Sequence, residues 1–169
     1  MLTLEKINEL PENELKQALQ NCCGSSEWVN RMMLSRPYAS LETIFDLAVS
    51  VWCSLGKADF LEAFSHHPKI GDTESLKKKF ADTAHWAGNE QSGVNTATDD
   101  VIEALAKGNM DYENKFGYIF IVCATGKSAQ EMLDILEARL PNEPDDELII
   151  AAAEQAKITD LRLRKWIEI

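Results

Sequence analysis

The sequence predicts an all-α protein, with residues 1–169 forming a single domain built as a bundle of about eight to ten helices. Three observations carry that prediction. Apolar residues recur at three- and four-residue spacing along most of the chain, as in Leu41, Ile44, Phe45, Ala48, Trp52 and Leu55. The 8 glycines and 5 prolines fall mainly between such segments, where helices start and stop. The one stretch with strand propensity, Phe116-Gly-Tyr-Ile-Phe-Ile-Val-Cys-Ala124, has no second strand to pair with.

Taken in order, residues 3–23 read as a broken helical pair. Pro11 is suited to open the second helix, whose Leu15, Leu19 and Cys22 share a face. Trp28, Met32 and Met33 predict a short helix ending before Arg36-Pro37. The cleanest period runs over 41–55, with Val49 on the apolar face and Ser40 as N-cap. Residues 57–65 form a further helix that delivers His66 and His67, where Pro68 forbids its continuation. A charged helix follows over 73–82, with Lys77, Lys78 and Lys79. Gly88 and Gly93 weaken the helical pattern of 85–93. Residues 96–115 are helical, with Val101, Leu105 and Tyr112 on or near one face. Residues 116–124 are expected as a buried helix or an extended buried segment. Ser128-Ala-Gln-Glu131 is a capping box for a helix through Leu140, and Pro144 with three following acids starts a last long helix over 144–167.

Composition narrows the function. Hydrophobic residues are 45% and charged residues 27%, an ordinary globular balance. Net charge is −11, which argues against nucleic acid or an anionic membrane as partner. No apolar run is long enough for a membrane-spanning helix. The start lacks the basic-then-apolar form of a signal peptide, and the end is not Ser-Lys-Leu, so a cytoplasmic location is expected. Cys22, Cys23, Cys53 and Cys123 form no disulfide-framework or Cys-x-x-Cys pattern and are expected as reduced thiols. With His66, His67 and His85 they offer none of the usual zinc spacings, so no metal is expected.

Four constellations could carry chemistry. His67 ends a helix before a proline, and an imidazole there suits proton transfer near neutral pH; it equally suits a structural hydrogen bond to a carbonyl. His66, its neighbour, would face elsewhere. Glu90 and Gln91 lie between two glycines, where a carboxylate could exchange a proton and an amide could read a polar heterocycle; Glu90 also fits as one more surface acid. Arg162 is flanked by Leu161 and Leu163, so it or Arg164 could clamp a carboxylate or urea, or merely complement a helix end. Cys123-Ala-Thr-Gly-Lys127 lacks phosphate-loop spacing, and Cys123 reads as a small buried hydrophobe.

In their order and spacing these pieces resemble one family, the decarboxylases of 2-oxo-4-hydroxy-4-carboxy-5-ureidoimidazoline (OHCU) in urate catabolism. The resemblance runs through Trp28 and Arg36-Pro37, Phe60-Leu-Glu-Ala-Phe64 with His67-Pro-Lys-Ile-Gly71, and Glu90-Gln91. It continues in Tyr112-Glu-Asn-Lys-Phe-Gly117, Phe120-Ile-Val-Cys-Ala124, Arg139-Leu-Pro-Asn142, Glu147-Leu148, Ala152-Ala-Glu-Gln155 and Lys157-Ile-Thr-Asp-Leu-Arg-Leu163. It implies an all-α, cofactor-free homodimer that releases carbon dioxide and makes (S)-allantoin. It also implies His67 and Glu90 as catalytic residues. Pro68, Ala87, Gln91, Phe120, Ile121, Val122, Cys123, Ala124 and Arg162 would bind substrate. Ala87 departs from the serine that similar proteins often carry three positions before the glutamate, which removes one hydroxyl from the ligand's surroundings. Two other classes compete: a ureide hydrolase, which would need a metal or activated nucleophile, and a non-enzymatic helical interaction module.

Overall fold

The computed structural model describes residues 2–68, 73–74, 76–78 and 99–168. Every regular element among them is an α-helix. Eight have defined bounds: α1 (Leu4–Glu9), α2 (Glu12–Cys22), α3 (Ser26–Leu34), α4 (Leu41–Cys53), α5 (Lys57–Ser65), α6 (Asp99–Phe116), α7 (Ala129–Arg139) and α8 (Pro144–Glu168). Residues 73–74 and 76–78, inside the charged helix expected over 73–82, are also helical. The 85–93 segment, with Ala87, Glu90 and Gln91, lies outside the described residues.

Local chemistry sets the helix starts. The hydroxyls of Thr3, Ser25, Ser40 and Ser128 each accept a backbone N–H of the first turn, caps worth about 1 kcal/mol apiece. Ser128 and Glu131 form the expected reciprocal box, the Ser128 N–H donating to the carboxylate at 2.7 Å. Pro11 takes the N-cap of α2, one residue before its first helical position, and contributes no side-chain bond. The α4 face corrects one expectation. Ile44, Ala48, Val51 and Trp52 are buried, whereas Val49 is 50% exposed. The stripe that meets neighbouring helices is therefore rotated toward Val51.

The chain folds into two compact units, one of residues up to His67 with α8 from Leu148, the other Pro68–Glu147. In the first, Trp28, Leu15, Leu19, Met32, Ile44 and Phe64 are buried. Trp28 Nε1 donates to the Ala48 carbonyl at 3.0 Å, and Trp52 Nε1 to the Ala152 carbonyl at 2.9 Å. These bonds satisfy both indoles inside the core and tie α3 to α4 and α4 to α8.

In the second unit Leu76, Ile102, Leu105, Tyr112, Met132 and Leu136 form the core. A Cβ at Gly108 would stand 2.6 Å from Leu136 Cδ2, so glycine there lets α6 approach α7 closely. Residues 119–124 belong to no helix or strand and lie between Gly117 at φ 80° and Gly126 at φ 76°. Ile121 and Cys123 point into the core while Phe120, Val122 and Ala124 are half-buried, the two-residue alternation of an extended chain.

Side chains supply what a partner strand would. Arg139 donates from NH1 to the Ile121 carbonyl, and Lys127 Nζ to the Cys123 carbonyl, each at 2.8 Å. Arg139 is itself 6% exposed and pairs with the fully buried Glu147, Nε to Oε1 at 2.8 Å. Glu147 further accepts from the Tyr112 hydroxyl and from Asn142 Nδ2. Burial of Tyr112, with that bond, pushes its phenol well above the usual range.

Candidate active site

Two helix ends and one helix face bring together the groups of the first unit that carry chemistry. α5 terminates as expected: His66 is its C-cap, and His67 N donates to the Phe64 carbonyl at 3.2 Å. His66 is exposed and His67 half-buried, so the pair faces two directions. The Cys22–Ser26 turn is drawn against this end by Glu62, whose carboxylate accepts from Ser26 N at 2.9 Å and Ser26 Oγ at 2.5 Å. Gly24 is required there, because a Cβ would lie 2.5 Å from His66 Cβ.

The facing helix is α8. Its Ala151, Ala152, Leu163 and Ile167 are buried, and polar side chains interrupt that stripe at Gln155, Thr159 and Arg162, spaced four and three residues apart. Gln155 is wholly buried. Its Oε1 lies 2.5 Å from His67 Nε2, and its Nε2 donates to Thr159 Oγ1 at 3.2 Å. Thr159 also bears on the Cys23 thiol, whose pKa it lowers. A polar chain thus runs from His67 through Gln155 to Thr159.

Arg162 is half-buried and directs NH1 toward the carbonyls of Asn21 and Cys22, each at 3.4 Å, the unsatisfied carbonyls that end α2. Its Nε and NH2 hold no hydrogen bond among the described residues. Arg164, the alternative cation, is exposed, paired with Asp160 and stacked 4.4 Å over Phe45.

Burial favours the neutral forms of His67, Cys22 and Cys23. Burial is the largest influence on His67 and lowers its pKa below the ordinary 6.5; Arg162 and His66 act the same way, against the Gln155 bond, which raises it. Burial pushes the Cys22 thiol up to about 12 and Cys23 to about 11, so neither is a thiolate nucleophile at neutral pH.

Of the residues expected at the site, His67 and Arg162 are brought together at this place. Pro68 follows in the chain and is exposed. Phe120–Ala124 form the extended segment of the second unit, and Ala87, Glu90 and Gln91 lie outside the described residues. Sequence reasoning missed Gln155 and Thr159. Their signal was present: two uncharged polar residues at helical spacing on an otherwise apolar stripe, in register with Arg162. No group of three or more metal-ligating side chains occurs among the described residues.

A family model for OHCU decarboxylase matches residues 8–164. The chain belongs to the OHCU decarboxylase family. It is 43% identical over 159 residues to the uric acid degradation bifunctional protein TTL of Arabidopsis thaliana, covering 93% of this chain and 47% of that protein. It is 27% identical to the 2-oxo-4-hydroxy-4-carboxy-5-ureidoimidazoline decarboxylase of Xenopus laevis, covering 96% of this chain and 93% of that one. The fold matches a crystal structure of OHCU decarboxylase in the presence of (S)-allantoin with a TM-score of 0.72 and 38% identity, over 89% of this chain and 96% of that one. The chain therefore spans about half the length of the bifunctional Arabidopsis relative and nearly all of the Xenopus one.

Proposed function

We propose that this chain decarboxylates OHCU to (S)-allantoin and carbon dioxide without a cofactor, as one catalytic domain over residues 1–169 that acts as a cytoplasmic homodimer. The observation that carries the reading is a neutral, buried-side imidazole at His67 beside the Arg162 guanidinium, in a chain matched by the family over residues 8–164.

The substrate supplies its own electron sink. Its C4 bears the carboxylate and hydroxyl, and C5 carries an imine. When the C4–carboxylate bond breaks, its electrons form a C4–C5 double bond and the imine nitrogen takes a proton. The resulting enol loses its hydroxyl proton and collapses to the C4 carbonyl, while C5 is protonated. A pyridoxal or thiamine group has no task in this sequence. His67 accepts the C4 hydroxyl proton. Glu90, or a water it holds, protonates one face of C5 and so sets the enantiomer. Groups positioned in this way typically contribute about 10²–10⁴-fold in rate.

Arg162 holds the ligand's polar edge with the donors that its contacts to α2 leave available. Pro68, Ala87, Gln91 and Phe120–Ala124 are the further substrate-binding residues of this reading, and Ala87 offers the ligand no hydroxyl.

The test follows carbon dioxide release and circular dichroism together while urate oxidation generates OHCU in place. The protein should accelerate both and yield a single (S) enantiomer; unchanged rates with racemic product would remove the assignment. Glu90→Gln should slow the reaction and erode enantiomeric purity. Full-rate, purely (S) product from that variant would take Glu90 out of the mechanism.

A further inference from the structure

The buried side of the His67 ring is engaged by a neutral amide whose own orientation is constrained. Nε2 stands 2.5 Å from Gln155 Oε1, a distance that requires a shared proton. An amide oxygen only accepts, so the proton of that bond belongs to Nε2. The orientation is set from behind. Gln155 Nε2 donates to Thr159 Oγ1 at 3.2 Å. The NH₂ end of the amide therefore faces Thr159 and the carbonyl end faces His67. Gln155 is wholly buried and Thr159 6% exposed, so little water is at hand to substitute for either partner.

We propose that Gln155 is a positioning residue that locks His67 in the Nε2-protonated tautomer, which makes Nδ1 the basic atom of the ring. In a neutral imidazole the hydrogen bond made by one nitrogen decides the state of the other. Among the described residues, the other titratable groups that bear on the ring are Arg162 from α8 and His66 beside it, and both oppose a second proton. The tautomer stands on geometry alone. Its use, with Nδ1 taking the C4 hydroxyl proton, rests on the decarboxylase reading.

The experiment is long-range ¹⁵N–¹H correlation on uniformly labelled, ligand-free protein at neutral pH, with His67→Gln to assign the signals. Nε2 should show a pyrrole-like shift and Nδ1 a pyridine-like one, with no averaging between them. A pyridine-like Nε2, or averaged shifts, overturns the proposal. Kinetically, Gln155→Leu should lower kcat by roughly 10–100-fold, the scale of losing a group that orients a working imidazole, with KM little changed. Gln155→Glu keeps the acceptor and adds a negative charge. It should retain the tautomer, raise the His67 pKa and move the acid limb of kcat/KM to higher pH. Unaltered kcat in folded Gln155→Leu overturns the positioning role. The expected shifts in a protein that does not turn over OHCU would leave the tautomer standing and remove the decarboxylase reading.

Discussion

His67 could be picked out by sequence because its position follows from one local rule: a proline stops α5 and leaves the preceding imidazole at the helix end. What the imidazole touches is set 88 residues away, at Gln155, and no local rule reports that. Neutral His67 is the form that can accept a proton, and its folded pKa lies below the ordinary 6.5. The acid limb of kcat/KM should therefore lie below pH 6.5, and His67→Ala should cut turnover about 10²–10⁴-fold while far-UV circular dichroism is unchanged. Stability has the matching sign. As pH falls below 6.5 the unfolded chain binds a proton at His67 before the folded one does, so the folded state loses stability in that window. A pH series of urea midpoints should show that slope in the wild type and a weaker one in His67→Ala. The cysteines give a second check at this scale. Cys53 is exposed, whereas Cys22, Cys23 and Cys123 are buried. A thiol reagent at neutral pH should modify Cys53 first, and the other three only on unfolding.

At the scale of elements, periodicity and capping residues located the helices well, because both are properties of consecutive residues. The apolar face of α4 was harder to place. Val49 and Val51 suit the helical pattern about equally, and only the neighbouring helices decide that Val51 is the buried one. Residues 119–124 show the same limit more sharply. Their propensity is that of a strand, no strand exists among the described residues, and the extended form survives because Arg139 and Lys127 cap its carbonyls. Removing Arg139 would leave Glu147 as a buried charge without its ion-pair partner. Arg139→Met should cost about 3–5 kcal/mol in urea unfolding, and adding Glu147→Leu should recover part of that loss. If the single variant unfolds at the wild-type midpoint, the clamp contributes nothing to stability.

At the scale of the whole molecule, a net charge of −11 sets a field that repels anions. A small anionic substrate must then be met by a local cation, the role the proposed function gives to Arg162. Under the proposed function a product such as allantoin should bind the folded state alone. At a concentration 100 times its Kd it should stabilise the protein by about 2.7 kcal/mol, visible as a higher Tm. No such shift at saturating ligand would count against a ligand site of this kind. By itself the sequence determined the helical class, most helix limits and the place of His67 at a helix end, because spacing, capping and proline geometry act over a few residues; it left Arg162 and Arg164 as alternatives. Only the tertiary structure decided that Gln155 and Thr159 stand behind His67, that Arg162 also caps α2, and that Arg139 meets the Ile121 carbonyl. Those are contacts between residues far apart in sequence, where burial removes water and each polar group must take the partner the fold presents.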